Sequence, residues 1–128
     1  DASDGLSMNV SSTLAEANFA VFGNNNSSGT TSSNLPSGQS LQKRSSREWQ
    51  LEESGTVIVN IKIDISDATG NNITPAAASN YKLLFKSCTE CDFVVNATGS
   101  SSSGDIITFS NISIQDGFYS IASTDSNI

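Results

Sequence analysis

Val57, Val59, Ile61, Ile63 and Ile65 recur at every second position, with Asn60, Lys62 and Asp64 between them and only Ile58 out of step. No other stretch restricts the fold so tightly. A period of two is that of a strand with one face buried and one face wet. At about 3.3 Å per residue the run is long enough to span a sheet. Gly55 stands where a bend or bulge would separate this strand from the preceding segment, Trp49 to Leu51, which holds the only Trp.

The same signal returns in shorter form along the chain. Leu6, Met8 and Val10 alternate with Ser7, Asn9 and Ser11 and read as a short strand. Leu14, Ala15, Ala17 and Ala20 suit a helical turn, but Phe19 to Phe22 reads as a strand closed by Gly23, giving a strand over 18–23. Residues 24–40, rich in Asn, Ser, Thr and Gly with a single Pro36, read as a long surface loop. A loop of that length is usually functional or held by a neighbour. Residues 67–72 read as a turn ended by Pro75, and residues 76–80 as one helical turn. Tyr81 to Lys86, Phe93 to Val95, Ile106 to Ile114 and Phe118 to Ala122 complete the strands. A parity slip at Ser110-Asn111 predicts a bulge, and Asp116-Gly117 is a hairpin signal.

Short strands at regular spacing, with no long helix, imply an all-β fold. The expectation is an antiparallel two-sheet β-sandwich, Ig-like or Greek-key in type, with seven to eight strands. Its core is expected to hold Trp49, Val57, Val59, Ile61, Ile63, Leu83, Phe85, Ile107 and Phe109. A chain of 128 residues suits one such domain, with residues 14–128 forming the sandwich and residues 1–13 an N-terminal extension or exchanged strand. It begins at Asp1 without an initiator Met, as expected after removal of a leader or excision from a longer chain.

Charge and composition narrow the function. The net charge of −7 argues against a nucleic-acid partner, which needs a basic face. No apolar run approaches the roughly 20 residues of a membrane span. There is no His, which removes the usual general base, triad member and metal ligand together. Glu52 and Glu53 are adjacent on a strand and point to opposite faces. Glu48 and Glu52 share a face but stand about 13 Å apart along it. No enzymatic activity and no cofactor are expected.

Cys88-Thr89-Glu90-Cys91 admits three readings. Zinc needs two further ligands, and no other Cys or His exists. A thioredoxin-like redox site needs a strand-to-helix setting. A small disulfide ring in an oxidising compartment is the remaining reading and the expected one. Asp64, Asp67, Asn71 and Asn72 offer hard oxygens for Ca²⁺, but in no defined spacing, and an ordinary polar turn is the expectation. Trp49 suits a sugar-stacking platform or a core position, and its parity with Leu51 favours the core. Asn9, Asn25, Asn26, Asn72, Asn96 and Asn111 each begin an N-x-Ser/Thr triplet and are glycosylation candidates. With thirteen Asn, and Ser or Thr at 35 of 128 positions, about 3.5 such triplets arise by chance, so six is a mild excess.

Phe19-Ala20-Val21-Phe22-Gly23-Asn24-Asn25 stands before the polar loop. Arg47-x-Trp49, Glu53-x-Gly55 and the alternating strand follow. Tyr81-x-Leu83-Leu84, an acidic loop ending in Asp92-Phe93, and Ile112-x-Ile114-x-Asp116-Gly117-x-Tyr119 close the series. In this order the motifs resemble the β-sandwich modules repeated in large secreted bacterial surface proteins, often beside concanavalin-like domains. Cys88 and Cys91 occupy the acidic loop where such modules more often carry Asp and Gly. The resemblance implies an extracellular, cell-surface location and a structural or adhesive role without an active site. The expected function is therefore a subunit of an extracellular filament or adhesin whose partners are copies of itself. The alternative is a carbohydrate-binding or adhesive module with surface glycans as partners. For filament assembly, Leu6, Met8 and Val10 are expected to add as a strand to a neighbouring subunit, the alternative being that they complete their own sheet.

Overall fold

The computed structural model describes residues 2–11 and 18–128, with Ala2, Ser3, Phe19 and Val21 described in backbone only. The helical reading of 14–17 and the boundary at 13/14 lie outside those residues. In chain order the strands are β1 (Ala2–Ser3), β2 (Leu6–Val10), β3 (Phe19–Asn24), β4 (Thr30–Thr31), β5 (Lys43–Ser45) and β6 (Trp49–Ser54). After them come β7 (Ile58–Asp64), β8 (Tyr81–Lys86), β9 (Val94–Thr98), β10 (Ser101–Ser103), β11 (Ile106–Ser113) and β12 (Gly117–Ser123). One short helix, α1 (Ile65–Thr69), and a 3-10 turn (Ala78–Asn80) interrupt them.

All pairings are antiparallel and divide into two sheets. The first runs β1-β2-β7-β11-β10. In the second, β12 is central: β8 lies along one edge and carries β9, while β6 and then β5 share the other edge and carry β3 and β4. The core between the sheets contains every side chain expected there, from Trp49 through Phe109. The alternation of β7 follows the pleat, with Val59, Ile61 and Ile63 inward and Asn60 and Lys62 outward. The register shift between Phe109 and Ile112 places the predicted bulge on β11, where Asn111 adopts φ +56°.

Several expectations are corrected. Five strands pair in one sheet and seven in the other among the described residues, more than the seven to eight expected. The additional ones, such as β4, β5 and β10, are two or three residues of Ser, Thr, Lys or Arg with no apolar period to announce them. Residues 67–72 are not simply a turn. Asp64 caps α1, its Oδ1 accepting from Asp67 N–H at 3.1 Å and Ser66 Oγ at 2.9 Å, and Gly70 ends the helix at φ +78°. Asp116-Gly117 does not form a hairpin, because β11 and β12 lie in different sheets. The dipeptide instead turns the chain across the sandwich. Asp116 Oδ1 accepts from Glu53 N–H at 2.8 Å. Gly117 sits at φ +152°, where a Cβ would stand 2.4 Å from Lys86 O. Close approach to β8 requires glycine here.

The largest correction concerns the N-terminus. Leu6, Met8 and Val10 do not form a free donor strand. β2 pairs with β7 of its own chain, in the register Leu6↔Ile63, Met8↔Ile61 and Val10↔Val59. Leu6 is fully buried, Met8 packs half-buried against the core and Val10 is 45 % exposed. The edge of β7 thus gains its hydrogen-bond partners in cis, and residues 6–10 belong to the sandwich rather than to an extension.

Candidate binding face on the second sheet

Most of the outer face of the second sheet is dry. Leu84 of β8 and Ala122 of β12 are fully buried there beneath Phe93, with Leu35, Leu41 and Val95 packed around them. What covers them is the segment read from sequence as a surface loop. Asn34 fixes it in place: its Nδ2 donates to Cys91 O at 3.2 Å, and its Oδ1 accepts from Phe93 N–H at 3.0 Å. One side-chain amide thus supplies both partners that a neighbouring strand would offer the 91–93 backbone.

Beneath the same cover lies a charged cluster. Arg44 on β5 and Lys86 on β8 are each only 6 % exposed. Glu48 stands between them, 3.5 Å from Arg44 Nη1 and 3.1 Å from Lys86 Nζ. Arg44 also donates through Nε to Ser33 O and through Nη1 to Ser45 O, both at 2.9 Å. Lys86 donates to Thr89 O at 3.3 Å. The ring of Phe93 receives both cations, Arg44 at 4.8 Å and Lys86 at 4.7 Å from its centroid. Burial lowers the Arg44 pKa, and Glu48 opposes that shift. Two cations and one carboxylate out of water persist only because each has further partners.

Where the cover ends, the outer face opens into a groove of about 350 Å³ between β3, β6 and β12. The Phe118 ring, opposite Gln50, supplies an apolar wall, and Gln50 and Glu52 of β6 stand in the groove beside Glu48. Phe22 of β3 borders it, but pairs with Leu51 and packs against the core. Gln50 and Glu52 are two residues apart and so face the same side, while Trp49 and Leu51 point into the core. Asn25 holds the rim. Its Nδ2 donates to Ser46 O at 3.3 Å, and its Oδ1 accepts from Ser27 N–H at 3.2 Å and Glu48 N–H at 3.0 Å. Glu48 is thereby fixed from both sides, by Asn25 on its backbone and by two cations on its carboxylate. Among the described residues, Gln50 and Glu52 make no side-chain hydrogen bond and remain free to meet a ligand.

The residues singled out in the sequence fall in different places. Cys88 and Cys91 form a disulfide in the loop after β8. Trp49 is a fully buried core residue and no platform. The Asp64 carboxylate caps α1, accepting from the backbone N–H of Asp67, and among the described residues no group of three or more acidic, Cys or His side chains is placed to hold a metal. The six triplet asparagines are all exposed and scattered over both sheets and their loops. No helix among the described residues is long and apolar enough to cross a membrane. The groove itself escaped the sequence reading. Its only signal was the alternation of Glu48, Gln50 and Glu52 with Trp49 and Leu51, which marks a polar face but not the Phe118 beside it.

No curated protein matches the chain, and no solved structure matches it. A family model does, over residues 3–118, and the chain belongs to that family, the domain of unknown function DUF8202.

Proposed function

We propose that the chain is an extracellular adhesive module of the kind found in secreted bacterial surface proteins, and that the groove on its second sheet binds a neutral glycan. One observation carries the reading: Gln50 and Glu52, an amide and a carboxylate without a side-chain hydrogen bond among the described residues, project from one strand beside the half-buried ring of Phe118. A sugar presents that complement, with an apolar C–H face to lie on Phe118 and hydroxyls to pair with Gln50 and Glu52. A net charge of −7 disfavours an acidic polysaccharide. The disulfide suits an oxidising, extracellular compartment.

The test is titration of the isotope-labelled chain with a panel of neutral oligosaccharides, followed by amide chemical shifts. Shifts are expected to cluster on β3, β6 and β12. Phe118→Ala and the exposed-site variant Gln50→Ala should each weaken binding about tenfold, equivalent to 1.4 kcal/mol. Shifts absent throughout the panel, or clustered on the first sheet, end the reading.

A second reading, a filament subunit built from copies of this chain, has its own support. Among the described residues β3 and β9 are each paired on one side only, and β9 carries Val94 at 56 % exposure. Such edges accept a strand from a second copy. Sedimentation that stays monomeric at high concentration would remove it.

A further inference from the structure

The thirteen asparagines divide into two populations. Seven do not begin an N-x-Ser/Thr triplet, and six of those are half-buried and spend their side chains on the fold. Asn18 donates to Thr56 O, Asn24 to Asp4, Asn34 to Cys91 O, Asn71 to Ile128 O and Asn80 to Asp125, while Asn60 accepts from Asn111 N–H. The six that begin a triplet are all exposed. Among the described residues only Asn25 of those six has a side-chain hydrogen bond. On a strand the residue two places on shares the face of the Asn, so part of this exposure follows from the pleat, as for Asn96 and Thr98 on β9. What the five unbonded triplet asparagines share is an accessible Nδ2, in a set of triplets that mildly exceeds the chance number.

We propose that Asn9, Asn26, Asn72, Asn96 and Asn111 carry N-linked glycans and that Asn25 stays bare. The donor is a polyprenyl-phosphate-linked oligosaccharide and the catalyst a membrane oligosaccharyltransferase acting on the secreted chain. Nδ2 attacks the anomeric carbon and loses one proton. The new C–N bond replaces the C–O bond to phosphate, and the lipid phosphate leaves with that electron pair. At Asn25 this atom donates to Ser46 O while Oδ1 accepts from Ser27 N–H and Glu48 N–H, so the side chain is held against the groove rim and is not free to turn toward the donor. The modified positions are not uniform over the surface. Asn9 lies opposite Asn60 on β7, and Asn111 N–H donates to Asn60 from β11, so two glycans stand side by side on the outer face of the first sheet. Neither that face nor the loop of Asn72 borders the groove on the second sheet.

Glycopeptide mapping of the protein purified from its native source decides the matter, site by site. Glycans on two or more of the five asparagines, with Asn25 unmodified, are the expected result. Unmodified peptides throughout, sugar confined to Ser and Thr, a glycan on at most one of the five, or any glycan on Asn25 overturns the proposal.

Discussion

The two sheets share one core but keep opposite outer faces. On the first, β7 shows Asn60 half-buried and Lys62 exposed between buried Val59, Ile61 and Ile63. On the second, the four residues from Leu83 to Lys86 are all buried. The cause is not in the strands. The segment before β5 folds back over β8 and β12, so a strand that would have been wet on one face is dry on both. The first face stays polar and simple. The second has become a layer in its own right, with an apolar cluster, a charged cluster and a groove at its margin.

The sharpest contrast is between charges. Glu48→Ala leaves Arg44 and Lys86 buried without their carboxylate, and a broken buried ion cluster costs about 3 kcal/mol or more. Lys62→Ala, on the exposed face of β7, is expected to stay within about 0.5 kcal/mol of the parent. Urea unfolding of both variants measures the difference. Equal effects would mean that Glu48 is as well solvated as Lys62, and the outer face of the second sheet no true layer.

Apolar truncation sharpens the same comparison with a smaller effect. Leu84 is fully buried under Phe93 and Leu35. Leu84→Ala should cost about 2 kcal/mol, the low end for a buried leucine, because a small satellite cluster can collapse around the gap. Ile58→Ala, half-buried at the start of β7, should cost under about 1 kcal/mol. A smaller loss at Leu84 than at Ile58 would show that the cover over β8 contributes no packing in solution.

The asymmetry also explains what was legible in the sequence. Alternation reports a strand only where one face is wet, so β7 was readable residue by residue, including its bulge partner on β11. In β8 the run Leu83-Leu84-Phe85-Lys86 carries no period, and its strand character showed only through composition. β5 was invisible because Lys43-Arg44-Ser45 buries a charge, which no propensity anticipates. Asn34 could not be read at all, since its partners lie 57 and 59 residues away. β2 was read correctly as a strand but assigned to the wrong partner. Its alternation specifies which face is apolar, not which chain supplies the neighbouring edge.

The disulfide offers the smallest perturbation and the finest test of the cover. Closing so short a ring contributes about 2 kcal/mol in the chain-entropy account. That figure treats the loop as isolated, whereas here it is a support. Thr89 O receives Lys86, Cys91 O receives Asn34, and Asn34 returns a hydrogen bond to Phe93 N–H. Opening the ring in the paired Cys88→Ala, Cys91→Ala variant should therefore cost about 2 kcal/mol and also loosen the grip of Asn34. Once the ring is open, Asn34→Ala should cost less than in the parent chain. A double-mutant cycle reads that coupling directly, with at least about 0.5 kcal/mol expected for groups that share partners. Strict additivity would mean that the loop and the cover are independent, and that Asn34 holds the second face closed without help from the ring.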